Sequence, residues 1–444
     1  MLFCTIIGRG KERKAKRLKE KTGLFIVKGN IVFTKESCEL TIFENGYIGV
    51  EEGLVSFVSK RLPKEHESSS VIDYGEKIII PGFCDLHAHA PQFENIGLGM
   101  NMKLLPWLDT LTFPTEAKYK DADYAKKMYS RVVKDLYRFG TTRATLFASV
   151  HVEAAQILVD LMEEAGLGGC VGKVNMDMNC PDYLCEDTET SLKETREFVK
   201  RNQNNSLVDP ILTPRFVPSC SERMMAGLGE IAREFDAPIQ SHINENLDEI
   251  KWVGELYPKS KNYADVYDGF GLLNGNTLMA HCIHMKEEET ELFVERGVYA
   301  VHCPQSNCNI SSGKMPLKNL LRKGMKAGLG SDISGGHAVS IPKTMVLAMQ
   351  ISKLRFQENP EEGFLTLSEA MYLATKGGGS FFGKVGSFEK GYEFDALVID
   401  DSSLAVRDDL TLEERLGRFI YTGDDRNIVE RYVRGRKLEK PPFE

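Results

Sequence analysis

The sequence predicts an α/β protein built on a (β/α)8 TIM-like barrel. Three observations carry this expectation. Eight short apolar runs rich in branched side chains recur over 78–90, 142–150, 169–177, 210–219, 238–245, 277–284, 299–307 and 327–333. Helix-length amphipathic stretches separate most of them, as strand-helix units of a parallel barrel require. No Gly-x-Gly-x-x-Gly follows the first run, which argues against a doubly wound dinucleotide fold.

Taken in order, the chain opens with an apolar run over 2–7 and becomes basic only over 9–21, the reverse of a secretory signal. Residues 1–22 are therefore expected to be a basic N-terminal extension, mobile or helical. Between 24 and 73, runs at 24–27, 31–34, 46–50 and 54–59 broken by Gly and Asn read as a small antiparallel unit. Within the barrel region, Tyr124, Met128, Val132, Leu136 and Phe139 share one helical face, and so do Met224, Leu228, Ile231 and Phe235. After Phe388 the texture returns to strands, at 396–399 and again from 428 to 433 before Gly435. Each strand-rich piece is too small to close a core alone, so the chain is expected to begin and finish in one β domain. The expected division is 1–22 as extension, 23–77 with 386–444 as composite β domain, and 78–385 as barrel. A length of 444 residues fits more than one domain, since single cores stop growing at roughly 250–300 residues.

Composition narrows the function. With 56 basic and 64 acidic residues the net charge is -8, so no global positive field attracts nucleic acid. No stretch of 18 apolar residues occurs, so no membrane span is expected and a cytoplasmic protein fits best. The ten Cys are too sparse for a disulfide scaffold, and the nearest pairs, Cys180/Cys185 and Cys303/Cys308, lack zinc-knuckle spacing.

Most of the nine His fall at or just beyond the C-terminal ends of the proposed barrel strands, the edge where barrel active sites are built. His87 and His89 alternate along strand one, so both imidazoles can face the barrel mouth and meet one metal ion. Strand five ends in His242, Asn244 and Glu245, strand six in His281, and strand eight in Asp332. A polar, metal-type residue at each of these apolar ends is costly unless a cation or partner is present. Nitrogen and oxygen ligands of this kind suit zinc, with iron or manganese as lesser options. Cys84, Cys282 and Cys303 neighbour these residues, and on a strand neighbours point the other way, so core packing is their expected role. His151 and Glu153 form an H-x-E, but the chain has no P-C-x-x-C to complete a nucleic-acid-type deaminase site. They read as a rim loop residue and a first-turn helix acid.

The constellation resembles the amidohydrolase superfamily, and the flanking segments are similar to its guanine deaminases. The stretches that carry the resemblance are 87–92 running on to 105–108 and 112–114, then 213–216, 242–246, and 302–307 followed by 328–332. Pro91 stands where that family more often has Ser, and the resemblance starts only near residue 25. It implies a (β/α)8 barrel beside a small β-sandwich made from both chain ends, one zinc ion per subunit, and a homodimer. By the same comparison His87, His89, His242 and Asp332 are the implied zinc ligands, with His281 beside the metal-bound water or as a fifth ligand. Strand four carries no Lys to bridge two metals, and Lys173 on strand three is the one residue that keeps a binuclear site open.

The implied reaction is hydrolysis of guanine to xanthine and ammonia. Asp332 would take the water proton, His281 would hold the attacking oxygen, and Glu245 would deliver protons to the ring nitrogen and leaving amine. Gln92, Arg215 and Phe216 are the expected substrate contacts, Arg215 as donor to the guanine carbonyl. Trp107 lies in a long segment, 97–119, that fits either a lid over the site or a dimer contact. The competing readings are a deaminase of another purine or aminated heterocycle, and a non-catalytic assembly protein that kept the fold.

Overall fold

The computed structural model describes residues 23–443; the basic extension expected over 1–22 lies outside the described residues. In chain order the strands are β1 (Phe25–Phe33), β2 (Thr41–Glu51), β3 (Leu54–Ser59), β4 (Val71–Pro81), β5 (Phe83–His89), β6 (Thr141–Phe147), β7 (Gly168–Gly172), β8 (Val174–Asn175) and β9 (Val208–Pro210). They continue with β10 (Thr213–Pro214), β11 (Ile239–Ile243), β12 (Thr277–His281), β13 (Tyr299–His302), β14 (Lys326–Leu329), β15 (Ala396–Ile399), β16 (Ile428–Val433) and β17 (Arg436–Lys437).

The strands that bear the site are parallel and buried on both faces, as strands flanked by helices must be. They form two four-stranded runs, β5-β6-β7-β9 and β11-β12-β13-β14. β8 and β10 make a further parallel pair, Leu212 bridges to Ile239 on β11, and β14 packs against β5. Leu86, Cys170, Ile211, Leu278, Ala280, Tyr299, Val301 and Cys303, drawn from both runs, meet in one apolar cluster. The result is an α/β fold of parallel strands. Outside them lie amphipathic helices whose starts are fixed by side-chain caps. Asp121 accepts from the N–H groups of Asp123 and Tyr124 at 2.9 and 3.0 Å to open Ala122–Arg138. Ser221 accepts from Met224 N to open Glu222–Phe235.

Both chain ends enter a single seven-stranded sheet of order β17-β16-β15-β4-β1-β2-β3. Its first part departs from the antiparallel unit expected from sequence. β1 pairs antiparallel with β2 but parallel with β4, and the two runs read at 24–27 and 31–34 are one strand with a register irregularity at Gly29–Ile31. The barrel run read from residue 78 also divides. Ile78 to Pro81 complete β4, where Ile79 faces Ile31 of β1 and Val398 of β15. Gly82 makes the break. A Cβ there would fall 2.2 Å from Thr142 Oγ1, so Gly82→Ala should cost about 1–3 kcal/mol by overpacking, read as a lowered thermal midpoint. The run at 299–307 ends as strand at His302, because Pro304 occupies the first turn of a helix, Pro304–Asn309.

Sheet and parallel strands are tied by a buried ion pair. Arg143 on β6 donates to both oxygens of Asp395 at 2.6 and 3.0 Å and to Glu393 at 2.6 Å. No helix among the described residues is long and apolar enough to cross a membrane.

Candidate active site

Every site residue expected from sequence lies where a parallel strand gives way to its loop. β5 ends on His89, β11 carries His242 next to its end, β12 ends on His281, and Asp332 follows β14. Three of these termini are bent into left-handed backbone: Asn244 (φ 50°), His281 (φ 76°) and Asp332 (φ 48°). Non-glycine residues hold such conformations only where surrounding structure enforces them, and they concentrate at functional sites.

The imidazoles converge. His89 Nε2 and His242 Nε2 are 3.0 Å apart, and Asp332 Oδ1 lies 3.3 Å from His87 Nε2 and 3.7 Å from His89 Nε2. The His242 ring is oriented from behind, its Nδ1–H donating to the Arg215 carbonyl at 2.5 Å, which leaves the Nε2 lone pair facing inward. Burial, with His87 next in weight, holds His89 well below the ordinary imidazole range, and burial followed by His87, His89 and His281 does the same to His242. Burial opposes ionisation of Asp332, but the surrounding His87, His281 and His89 keep its carboxyl well below the usual carboxylate range.

Two neutral imidazoles with facing Nε2 atoms beside a carboxylate, with His87 Nε2 and His89 Nδ1 buried and without a hydrogen-bond partner among the described residues, form an arrangement that a cation would satisfy. Four-coordinate zinc with bonds of about 2.0–2.1 Å sets its ligand atoms about 3.3 Å apart, close to the separations here. The residues therefore fit a divalent metal. His87, His242 and His281 lie within one ligand-sized cluster, and so do His87, Cys303 and Asp332. Cys303 faces the apolar cluster described above, and burial raises its thiol well above the ordinary value, which disfavours the thiolate that metals bind.

His281 is held by Asn307, whose Oδ1 accepts from Nδ1 at 3.0 Å. Its Nε2 then points at Glu245 Oε2, 3.3 Å away, and Asp332 Oδ2, 3.9 Å away. Burial, then Glu249 and Asp332, push the Glu245 carboxyl well above the ordinary range. Glu245 is not a helix-capping acid: Asn246 caps the following helix in a reciprocal box with Glu249.

His89, Gln92, Arg215, Phe216, His242, Glu245, His281 and Asp332 line one cavity, closed over by Leu104, Trp107, Leu108 and Ile310. The segment 97–119 thus folds into short helical turns, Leu104–Trp107 through Phe113–Ala117, that cover the site. Lys173 is not part of it. That side chain is fully buried in an ion pair with Glu186 and donates to Ser191 Oγ at 3.2 Å. His151 and Glu153 sit at the start of helix Val152–Ala165, as expected.

Sequence reasoning missed three participants. Asp85 accepts from Ser331 N at 3.0 Å and Ser331 Oγ at 2.5 Å, fastening β5 to the loop that carries Asp332; its two-residue offset from His87 was a legible signal. Asn307 lay inside a stretch already singled out. Glu116 carried no signal at all. It is buried, accepts from both Arg215 Nη1 and Nη2 at 2.6 and 3.1 Å, and accepts from Gln92 Nε2 at 2.9 Å.

Residues 78–438 match the amidohydrolase family. Guanine deaminase of Dictyostelium discoideum is 40% identical over 93% of this chain and 98% of its own length. Guanine deaminase of Homo sapiens is 38% identical over 93% of this chain and 96% of its own. A crystal structure of guanine deaminase from C. acetobutylicum with bound guanine in the active site superposes with a TM-score of 0.92 at 52% identity, covering 94% of this chain and 100% of that one.

Proposed function

The chain belongs to the amidohydrolase family, and we infer that it hydrolyses guanine to xanthine and ammonia. The observation that carries this reading is a cavity lined by two chemically distinct sets of groups. Imidazoles converge with Asp332 in one set, and Arg215 and Gln92, both N–H donors, form the other.

We assign His87, His89, His242 and Asp332 to one zinc ion per subunit, with iron or manganese as lesser options. A divalent metal held there supplies a Lewis acid that lowers the pKa of a water to about 7. The chain's own groups supply the rest. Asp332 accepts the proton that the attacking water gives up, and His281, fixed by Asn307, orients the water oxygen. Glu245, kept protonated by burial, gives a proton to the ring nitrogen as the C–O bond forms, takes the remaining proton of the added oxygen and delivers it to the departing amine as the C–N bond breaks, and the proton held by Asp332 then restores Glu245. Water adds at the ring carbon, the C–N bond breaks, and ammonia leaves. Arg215 and Gln92 take the amide edge of the base, and Phe216 and Trp107 wall the cavity against water.

The same reading takes the two parallel runs as halves of one closed (β/α)8 barrel, supported by the shared interior cluster, with the barrel domain expected over 78–385 beginning at β5, since Ile78–Pro81 belong to the seven-stranded sheet. It takes 23–77 with 386–444 as a composite β-sandwich, and the enzyme as a cytoplasmic homodimer of twice the 49.8 kDa chain mass. Its partner is a small purine base, neither nucleic acid nor membrane.

Metal analysis joined to an ultraviolet guanine-to-xanthine assay tests it. Purified protein should hold one zinc per chain, lose turnover to a chelator and regain it with zinc. Metal at 1,000 times its Kd should also stabilise the fold by about 4 kcal/mol, seen as a higher thermal midpoint. Metal-loaded protein that leaves guanine untouched would overturn the reading.

A further inference from the structure

Glu116 lies outside the cavity wall yet touches both residues that face the base. Its carboxylate is 1% exposed and Arg215 is 3% exposed, so this is an ion pair withdrawn from water. The geometry is two-pronged, with Arg215 Nη1 on Oε2 at 2.6 Å and Nη2 on Oε1 at 3.1 Å. That pairing fixes the plane of the guanidinium. Oε1 also accepts from Gln92 Nε2 at 2.9 Å, while Gln92 Oε1 accepts from the Ser334 N–H at 3.2 Å. A carboxylate only accepts. The end of Gln92 against Glu116 must therefore be its NH2, which prevents the amide from flipping and leaves one N–H and one lone pair for a ligand.

The helix that carries Glu116, Phe113–Ala117, is itself pinned. Thr115 Oγ1 donates to Asn95 Oδ1 at 3.1 Å, Asn95 Nδ2 donates to Leu111 O at 3.2 Å, and Arg215 lies 5.1 Å over the Phe113 ring. Among the described residues Glu116 is the one hydrogen-bond partner of the Arg215 guanidinium, which lines the cavity, so its orientation there is set from behind.

We propose that Glu116 is the positioning residue for base selectivity, fixing Arg215 and Gln92 in the single arrangement that presents N–H donors to a carbonyl oxygen on the purine. The inference rests on the guanine reading above. A site built to hold that oxygen leaves buried donors unpaired when a base lacks it, which is the source of strong discrimination. Without the carboxylate, the buried cation loses its counter-charge and the two-pronged contact that fixes its plane, and the donors no longer converge on the oxygen.

The test compares guanine with 2-aminopurine, which has the same amine and ring but no oxygen, in the wild type, E116Q, R215Q and the double variant, each loaded with zinc and checked for metal content. E116Q should lower the guanine-over-2-aminopurine ratio of kcat/KM by about 10- to 100-fold, chiefly through guanine, with metal content retained. Because Glu116 acts through Arg215, the double variant should be no worse on guanine than R215Q alone. A ratio unchanged in E116Q, or losses that multiply in the double variant as for independent structural damage, would overturn the proposal. Should E116Q not fold, E116D, which keeps the charge but not the reach, is read on the same ratio. A wild type that turns over neither base refutes the guanine reading, whereas a wild type that prefers guanine beside an E116Q that keeps that preference refutes only the role of Glu116.

Discussion

Replacing Glu245 by Gln should lower kcat on guanine about 10²- to 10⁴-fold, the range a positioned general acid-base contributes, with KM nearly unchanged and one zinc still bound. The amide keeps the size of the side chain and the hydrogen bond that Ser312 Oγ donates at 3.3 Å, so the cavity should survive while the transferable proton is gone. Glu245 is also positioned for its work by more than proximity. Its backbone N–H donates to Glu249 at 3.1 Å, and burial with Glu249 beyond it disfavours the charged form. The sign follows directly. A raised carboxyl pKa keeps the acid populated toward neutral pH, so kcat should decline as pH rises through that value, and the alkaline decline should vanish in E245Q. Near-normal turnover by E245Q with metal retained would remove Glu245 from the reaction.

Arg143→Met should be the most damaging substitution for stability, at about 3–5 kcal/mol, the cost of leaving a buried counter-charge without its partner. Arg143 is 2% exposed and Asp395 1%, so the pair is withdrawn from solvent. Asp395 retains the N–H of Arg434 at 2.8 Å, one donor where there were three. R143M/D395N, which removes both charges, should recover part of the loss in thermal or denaturant unfolding. A single variant as stable as wild type would mean that the pair fixes geometry without contributing to stability. Zinc content and guanine turnover per folded molecule should stay close to normal, because neither residue lines the cavity.

What the sequence made legible was whatever depends on local period. Ala122–Arg138 and Glu222–Phe235 followed from apolar spacing alone, and the structure adds an Asp and a Ser cap. The convergence of His87, His89, His242, His281 and Asp332 could be read because each sits at the end of an apolar run, where topology brings strand ends together. Pairing partners were less accessible. Nothing in the run 71–81 shows that it lies parallel to β1 on one side and antiparallel to β15 on the other, since a strand's own side chains do not encode its neighbour. Arg215, expected as a substrate contact, lines the cavity, yet its counter-ion was invisible. Glu116 is distant in sequence, sits in a stretch without clear periodicity, and looks like any exposed helical acid until the chain is folded. Asp85 was the avoidable omission, because the alternation that pairs His87 with His89 includes it.

The place of β4 in the seven-stranded sheet sets an order of events during synthesis. One of its edges is taken early, by β1, whereas the other must wait for β15, which leaves the ribosome only after nearly the whole chain has been made. Until then an unpaired edge rich in isoleucine stands open to any neighbouring chain. Premature termination anywhere before Ala396 should accordingly yield protein that is sticky as well as inactive, and the growing chain has reason to depend on chaperones until its final fifty residues arrive.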